Sequence, residues 1–460
     1  MTDIILRDYQ TDLVEAVRAS YGAGYRSVCM VASTGFGKTV CFIYITNNAT
    51  LKGKRTLIIA HRRKLVTQTA EYISSPFSYI MAGREYNPDV LIQVASIQTL
   101  VRRLDTLDFT PDFIIADEGH LAASDSYKRV YERFPQARRL IVTATPELFS
   151  GRGMREICDS MVVGIGMKEL IRRGSLVKTR VIAPPIVDVS GVATVNGDYD
   201  AEAVAAIIER PTIHGNILQT YREWALDRVT LAFCNTVAES IRMAALFNAN
   251  GIAAESLDAN SDDDWKEAVL ERLEGGDIAV LFNCALYIEG LDIPAINCII
   301  DLAATHRVTR YLQKIGRGTR PADGKVDNLY IDTTGNWLRH GMPAQDRDWT
   351  LDGMVRRKKV EEHPDNLTIR QCPACYAVFE TAEHCPECGV IIPVKQRKIK
   401  TKDGWLTEIE IEEIDLKKRN DKMEEWKAVT MGDWLAIAGK RGYAKGWAYM
   451  RYNLKKGKKK

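Results

Sequence analysis

The chain has 460 residues, 46% apolar and 27% charged, which excludes collagen-like, wholly disordered and disulfide-scaffold classes and leaves room for more than one sizeable core. The longest apolar region, residues 278–304, is broken by Asn283, Glu289, Asp292, Asn297 and Asp301, so no membrane span is expected. The net charge of +3 is uneven: residues 390–460 carry 19 Lys and Arg against 10 Asp and Glu, a net of +9, and leave the preceding 389 residues at −6. A basic end on a mildly acidic body is either a solvated tail or a surface for a polyanion. The N-terminus, MTDIILRDYQ, shows no basic segment followed by an apolar one, so no signal peptide is expected and the cytosol is the expected compartment.

Short β-branched runs alternate with helical stretches, the pattern of parallel α/β sheets. In the first half the strand-like runs are 27–33, 55–60, 90–96, 113–118 and 140–145, with helices expected over 38–49 and 62–73. In the second half they are 229–235, 278–284, 297–303 and 329–333, with helices over 237–250 and 262–273. This predicts α/β domains over 1–148 and 215–345, joined by a Gly- and Pro-containing connector, 149–214, read as linker plus short helices. A linker over 346–367, a cysteine module over 368–394 and a charged extension over 395–460 complete the organisation.

The segment Ala32-Ser-Thr-Gly-Phe-Gly-Lys-Thr39 follows an expected strand and opens an expected helix. A glycine-rich turn in that place lets backbone N–H groups wrap a phosphate at the helix N-terminus. Gly35 and Gly37 keep Cβ atoms out of the way, Thr34 belongs to the same turn, Lys38 reaches the β- and γ-phosphates, and Thr39 offers a hydroxyl to magnesium. In Phe113-Ile-Ile-Ala-Asp-Glu-Gly-His120 an apolar strand ends in two carboxylates, where such sites form. Asp117 suits the magnesium, and Glu118 suits polarisation of an attacking water.

Together these segments resemble the nucleic-acid-stimulated ATPases of helicase superfamily 2, in the D-E-x-H branch. The resemblance implies two tandem RecA-like domains, ATP and Mg2+ as cofactors, and a nucleic acid as partner. It implies an adenine contact for Gln10 in Arg7-Asp-Tyr-Gln10, and nucleic-acid backbone contacts for His61 and Arg62 and for Ser96, Gln98 and Thr99. It also implies a coupling role for Thr143 and Thr145 in Thr143-Ala-Thr145-Pro146, and a link from the ATP site to the second domain for His120.

In the second half, Gln313-Lys-Ile-Gly-Arg-Gly-Thr-Arg320 matches the family pattern Q-x-x-G-R-x-x-R at every fixed position. Gln313 can orient water, and two always-charged planar guanidiniums can neutralise the leaving phosphates. The resemblance makes Arg320 the arginine finger, with Arg317 assisting. Gly290-Leu-Asp292-Ile-Pro294 is similar to the ribose-contacting motif upstream, although Glu289 departs from the small or hydroxyl residue of many relatives. Asn235, after Phe233-Cys, is either a further backbone contact or a plain strand end.

Two C-x-x-C pairs, Cys372/Cys375 and Cys385/Cys388, are spaced for one tetrahedral zinc ion. The module is either a docking surface for nucleic acid or protein, or a structural clip. The six other cysteines are scattered through apolar runs and read as core residues. From Lys440 onward nine basic residues interleave with Tyr443, Trp447, Tyr449 and Tyr452. That is the make-up of a single-strand binding surface; alternatively the aromatics pack onto the body and 455–460 is disordered. Two ATPase domains followed by a cysteine module resemble the RadD family of bacterial DNA-repair helicases and their phage-encoded relatives. The expectation is an ATP-dependent helicase or translocase on single-stranded or branched DNA. An RNA helicase, a nucleic-acid-binding adaptor with a switch-like ATPase, and the motor subunit of a restriction system are the alternatives.

Overall fold

Ser27–Val31 (β1), Thr56–Ala60 (β2), Ile92–Ser96 (β4) and Phe113–Ala116 (β5) are buried at every position, because helices cover both faces of the sheet they form. Each apolar side chain so buried contributes about 1.5–3 kcal/mol. With Phe77–Ile80 (β3), Arg138–Thr143 (β6) and Ser160–Val163 (β7) they make an all-parallel sheet in the order β3-β4-β2-β5-β6-β1-β7. The helices of this domain are Asp8–Gly22 (α1), Lys38–Thr50 (α2), Arg63–Glu71 (α3), Ile97–Arg103 (α4) and Asp125–Arg133 (α5). The computed structural model describes residues 4–354 and 369–392, except 62, 149–151, 185–186, 196, 289 and 381, together with 428, 430–441, 448–449 and 452. Arg62, Glu289, Tyr443, Trp447 and residues 455–460 therefore lie outside the described residues.

Helix Met167–Arg172 (α6) buries Met167 and Leu170 in the first domain. The chain then crosses into the second sheet as Lys178–Ile182 (β8). A hairpin, Thr194–Val195 (β9) with Asp198–Tyr199 (β10), precedes helices Ala201–Ile208 (α7) and Pro211–Trp224 (α8). Next come Thr230–Cys234 (β11), Val237–Ala249 (α9), Ala254–Leu257 (β12), Asp263–Gly275 (α10), Val280–Cys284 (β13) and Cys298–Asp301 (β14). Val308–Gly316 (α11), Asp327–Asp332 (β15) and Asn336–His340 (α12) follow. The stretch expected to be only connector thus supplies strands to both sheets: β7 pairs with β1, and β8 pairs with β15. Its glycines and prolines punctuate strands as readily as loops.

After α12 the chain returns to the first domain through a short hairpin, Trp349–Thr350 (β16) and Gly353–Met354 (β17). Arg155 of the first domain donates its backbone N–H to the Leu351 carbonyl at 2.9 Å and grips Asp352 with two side-chain bonds of 2.5 and 2.8 Å. Trp349 and Leu351 pack against the first domain's core.

The cysteine module is continuous with the second sheet. Ile369–Gln371 (β18) and Ala377–Glu380 (β19) form an antiparallel hairpin, and β19 pairs antiparallel with β8, giving the order β12-β13-β11-β14-β15-β8-β19-β18. Cys372 and Cys385 join the second domain's hydrophobic core, and Arg180 of β8 pairs with Glu387. Residues 395–460 form a separate unit. In it, helix Met431–Arg441 (α13) buries Trp434, Ile437 and Ala438 with Ala428 and Ala448, and Tyr452 packs against that cluster. Among the described residues no helix is long and apolar enough to cross a membrane.

Candidate nucleotide site and nucleic-acid face

Two glycines shape the loop before α2. Gly35 has φ +80°, and a Cβ there would lie 2.3 Å from Leu176. Gly37, at φ +91°, is the residue from which α2 starts, and its Cβ would meet Gln10 Nε2 at 2.4 Å. No other residue fits both the left-handed conformation and the space. The helix N-terminus and the surrounding N–H groups are thereby opened to an anion. Gln10 braces the loop by donating to the Phe36 carbonyl at 2.9 Å while its oxygen accepts the Arg7 N–H at 3.0 Å.

Lys38 reaches back to the Ala32 carbonyl at 3.4 Å. Burial lowers its ammonium pKa, and the carboxylates of Glu118 and Asp117 oppose that shift. Asp117 directly follows β5 and accepts the Glu118 N–H at 2.9 Å. Glu118 takes a left-handed conformation, φ 53°, which is uncommon for a residue with a Cβ and turns its carboxylate into the cleft. His120 Nδ1 lies 3.3 Å from Glu118 Oε2, and Gln313 Nε2 donates to the same oxygen at 3.3 Å. Burial acts to raise the Glu118 carboxyl, but its hydrogen bond with His120 and the charges of His120, Lys38 and Arg317 outweigh it and hold the group down at about 2.

Gln313 and Arg317 come from α11 and the turn after it, on the second domain, and the two domains meet closely here. Gly316 lacks a Cβ where Thr34 of the phosphate loop would stand 2.3 Å away. Thr145 Oγ1 and Thr309 Oγ1 share a buried hydrogen bond of 2.8 Å, and Thr309 is one helical turn before Gln313. Thr143 Oγ1 donates to the Thr145 carbonyl at 2.8 Å and fixes that loop. Arg317 and Arg320 both donate to the Leu291 carbonyl, at 2.6 and 2.9 Å, and Arg320 also pairs with Asp292. Gly290 has φ +77°, and Gln68 of α3 reaches its carbonyl at 3.4 Å. The result is a cavity of about 570 Å³ lined from one side by Lys38, Thr39 and Glu118 and from the other by Asp292, Arg317 and Arg320.

Thr309, the Leu291 carbonyl and Lys314 escaped the sequence reading. The first is an unremarked hydroxyl, the second a backbone group, and the third occupies a variable position of its motif. Only the helical spacing from Thr309 to Gln313 could have flagged one of them. Lys314 is buried and donates to Asp301 Oδ1 at 2.7 Å and to the Ala303 carbonyl at 2.8 Å. Tyr330 and Asn336 donate to the other Asp301 oxygen at 2.8 and 3.0 Å.

The expected nucleic-acid residues sit at the carboxyl ends of the strands. Ser96 caps α4 by accepting the Thr99 N–H at 3.3 Å, and its hydroxyl bonds the Thr99 hydroxyl at 3.1 Å. Gln98 is exposed and donates to the His61 carbonyl at 2.9 Å. Asn235 donates to Glu239 and to the Leu302 carbonyl, both at 3.0 Å, so its amide serves the strand end.

In the cysteine module Cys372 and Cys388 approach to 3.6 Å between sulfurs, as do Cys375 and Cys385, and all four Sγ atoms lie within 4.8 Å of one another. An ion bonded to four thiolates at ~2.3 Å needs S···S edges of about 3.8 Å, so the cluster fits a tetrahedral metal. The N–H groups of Ala374 and Glu387 point at Cys372 Sγ and Cys385 Sγ, both at 3.4 Å, as anionic sulfurs require. Gly389 closes its turn at φ 73° and Tyr376 does the same at φ 59°.

A phosphate loop and acidic strand end on one RecA-like domain, faced by a glutamine and two arginines from another, define a P-loop ATPase whose site is completed across a cleft. Comparison with known proteins identifies the kind. Residues 3–148 match the family of the type III restriction enzyme res subunit, and residues 211–322 match the helicase conserved C-terminal domain. The chain is 30% identical over 390 residues to a 51.5 kDa protein of a Lactococcus phage (isolate 7-9), covering 84% of this chain and 83% of the relative. It is 28% identical over 356 residues to a Saccharomyces cerevisiae protein named for ATP-dependent helicase activity, IRC3, covering 72% of this chain and 52% of that one. It thus spans about half the length of IRC3. Its fold is similar to a fragment of an HsdR subunit of a type I restriction enzyme from Vibrio vulnificus YJ016, with TM-score 0.59, 20% identity, and coverage of 73% and 66% of the two chains. The chain belongs to helicase superfamily 2 and is a nucleic-acid-dependent ATPase of that class.

Proposed function

We propose that this ATPase is a motor that translocates along DNA, single-stranded or branched, as RadD-like repair helicases do. The observation that carries the motor reading is the cleft itself. Glu118 and Gln313 meet across it at 3.3 Å, so chemistry and domain closure are one event. In this reading Lys38, Arg317 and Arg320 hold the phosphates, Gln10 the adenine and Asp292 the ribose. Thr39 and Asp117 would hold Mg2+, whose charge offsets that of the phosphates. Glu118 and Gln313 place the water, and His120, Thr143 and Thr145 carry closure between domains. His61, Arg62, Ser96, Gln98, Thr99 and Asn235 mark the face that tracks the strand. DNA is favoured by the restriction-subunit match over residues 3–148, since restriction enzymes act on DNA.

Steady-state ATPase measured alone and with single-stranded DNA, duplex DNA, forked DNA or RNA tests this. Strong stimulation by a DNA form, lost in Lys38→Ala, is the expected result. Stimulation by RNA alone, or by no nucleic acid, overturns it.

The metal of the cysteine module is zinc in this reading, and its role is structural, because the hairpin it would hold is the edge of the second sheet. Chelation is expected to release about one zinc per chain and to lower the melting temperature by several degrees, since a bound metal's affinity is folding energy. Cys385→Ser should reproduce the shift without chelator. An unchanged melting temperature on complete zinc loss would dismiss the structural role.

A further inference from the structure

Beside the carboxyl edge of the second sheet lies a cluster that the ATP site does not use. The rings of Tyr199 and His306 are stacked, with centroids 4.0 Å apart and planes 17° from parallel. The Arg339 guanidinium lies 5.1 Å from the Tyr199 ring centroid. His306 is exposed. One buried carboxylate holds the two rings in register. Asp198 Oδ1 accepts the backbone N–H of Tyr199 at 3.0 Å and that of His306 at 2.7 Å. Its other oxygen accepts from Thr305 Oγ1 at 2.9 Å and from Arg310 at 3.2 Å, with Arg307 at 4.0 Å.

Two guanidiniums, Arg307 and Arg310, therefore flank one carboxylate, and Arg339 adds a third positive charge beside the Tyr199 ring. The His306 loop follows β14 and sits next to Asn235, whose amide donates to the Leu302 carbonyl at 3.0 Å. It thus shares an edge with the strand ends at which the nucleic-acid face is proposed. Nothing about core packing requires an exposed imidazole to lie flat on a tyrosine pinned by a buried aspartate. A stacked aromatic surface flanked by cations suits an unpaired nucleobase and its phosphate.

Resting on the nucleic-acid motor reading, we infer that the Arg339–Tyr199–His306 stack is a platform on which one unpaired base of the tracked strand stacks, with Arg307 and Arg310 beside its phosphate. Asp198 is the positioning residue that presents the platform. The β9–β10 hairpin and the loop after β14 form it jointly, and Arg310 lies on α11, the helix that carries Gln313. Base stacking at this point is thereby joined to the hydrolytic half of the second domain.

The test is the strand concentration that half-saturates ATPase stimulation, measured for the full chain with single-stranded DNA and RNA of one sequence and with an abasic strand. His306→Ala is expected to raise it about 5- to 100-fold, the effect of losing one base–aromatic stack. His306→Phe keeps a ring and is expected to stay near wild type. On the abasic strand His306→Ala and wild type are expected to coincide. A shift with one sugar only assigns the platform to that nucleic acid. No shift in His306→Ala, an equal shift in His306→Phe, or a shift that persists on the abasic strand overturns the platform alone. A wild-type protein stimulated by no strand overturns the motor reading first.

Discussion

Glu118→Gln is expected to abolish ATP turnover, by about 10²- to 10⁴-fold, while leaving ATP able to bind. The amide is nearly the same shape as the carboxylate and can still meet Gln313 and His120. It cannot accept a proton from water or draw charge from it. The carboxyl is held down at about 2, so it is ionised throughout the neutral range. The acid limb of the ATPase pH profile above pH 4 therefore belongs to another group. Nucleotide binding is read from the rise in melting temperature with ATP, and turnover from phosphate release. Turnover within threefold of wild type would mean that a different group places the water.

Lys314→Met is expected to be the most destabilising substitution in the second domain. Lys314 and Asp301 are a buried pair 2.7 Å apart, with side chains 2% and 0% exposed. Removing the lysine leaves a buried carboxylate without its partner, at about 3–5 kcal/mol. That is a large share of a typical domain's stability of about 5–15 kcal/mol. The melting temperatures of wild type and variant measure the loss. A variant that melts together with wild type would show that the buried pair supplies little.

The strongly apolar strands were legible because burial on both faces writes itself as β-branched runs. Runs read at 55–60 and 229–235 lie within a residue of β2 and β11. Strands β3 and β12 were missed because they are four-residue strands at the edges of their sheets, with polar residues such as Ser78 and Glu255 among their members. Strand β8 lies in a connector whose glycines and prolines carry the signature of a loop. The cysteine module reads as separate in the sequence for the same reason, since its bond to the body is a strand pairing with β8. At the site, fixed motifs were legible residue by residue. Contacts between motifs were not, because Thr145 with Thr309, and Thr34 with Gly316, depend on how two domains meet.

The described chain joins the two ATPase domains at two places before it rejoins the second sheet at β18. It goes forward near Leu176 and comes back through the hairpin that Arg155 grips by Asp352 and Leu351. A single tether leaves two bodies free to swing, twist and roll. Two attachments at separate points remove most of that freedom and leave rotation about the line joining them. Each ATP cycle is then confined to one angular coordinate, and little of its free energy is dissipated in sideways motion.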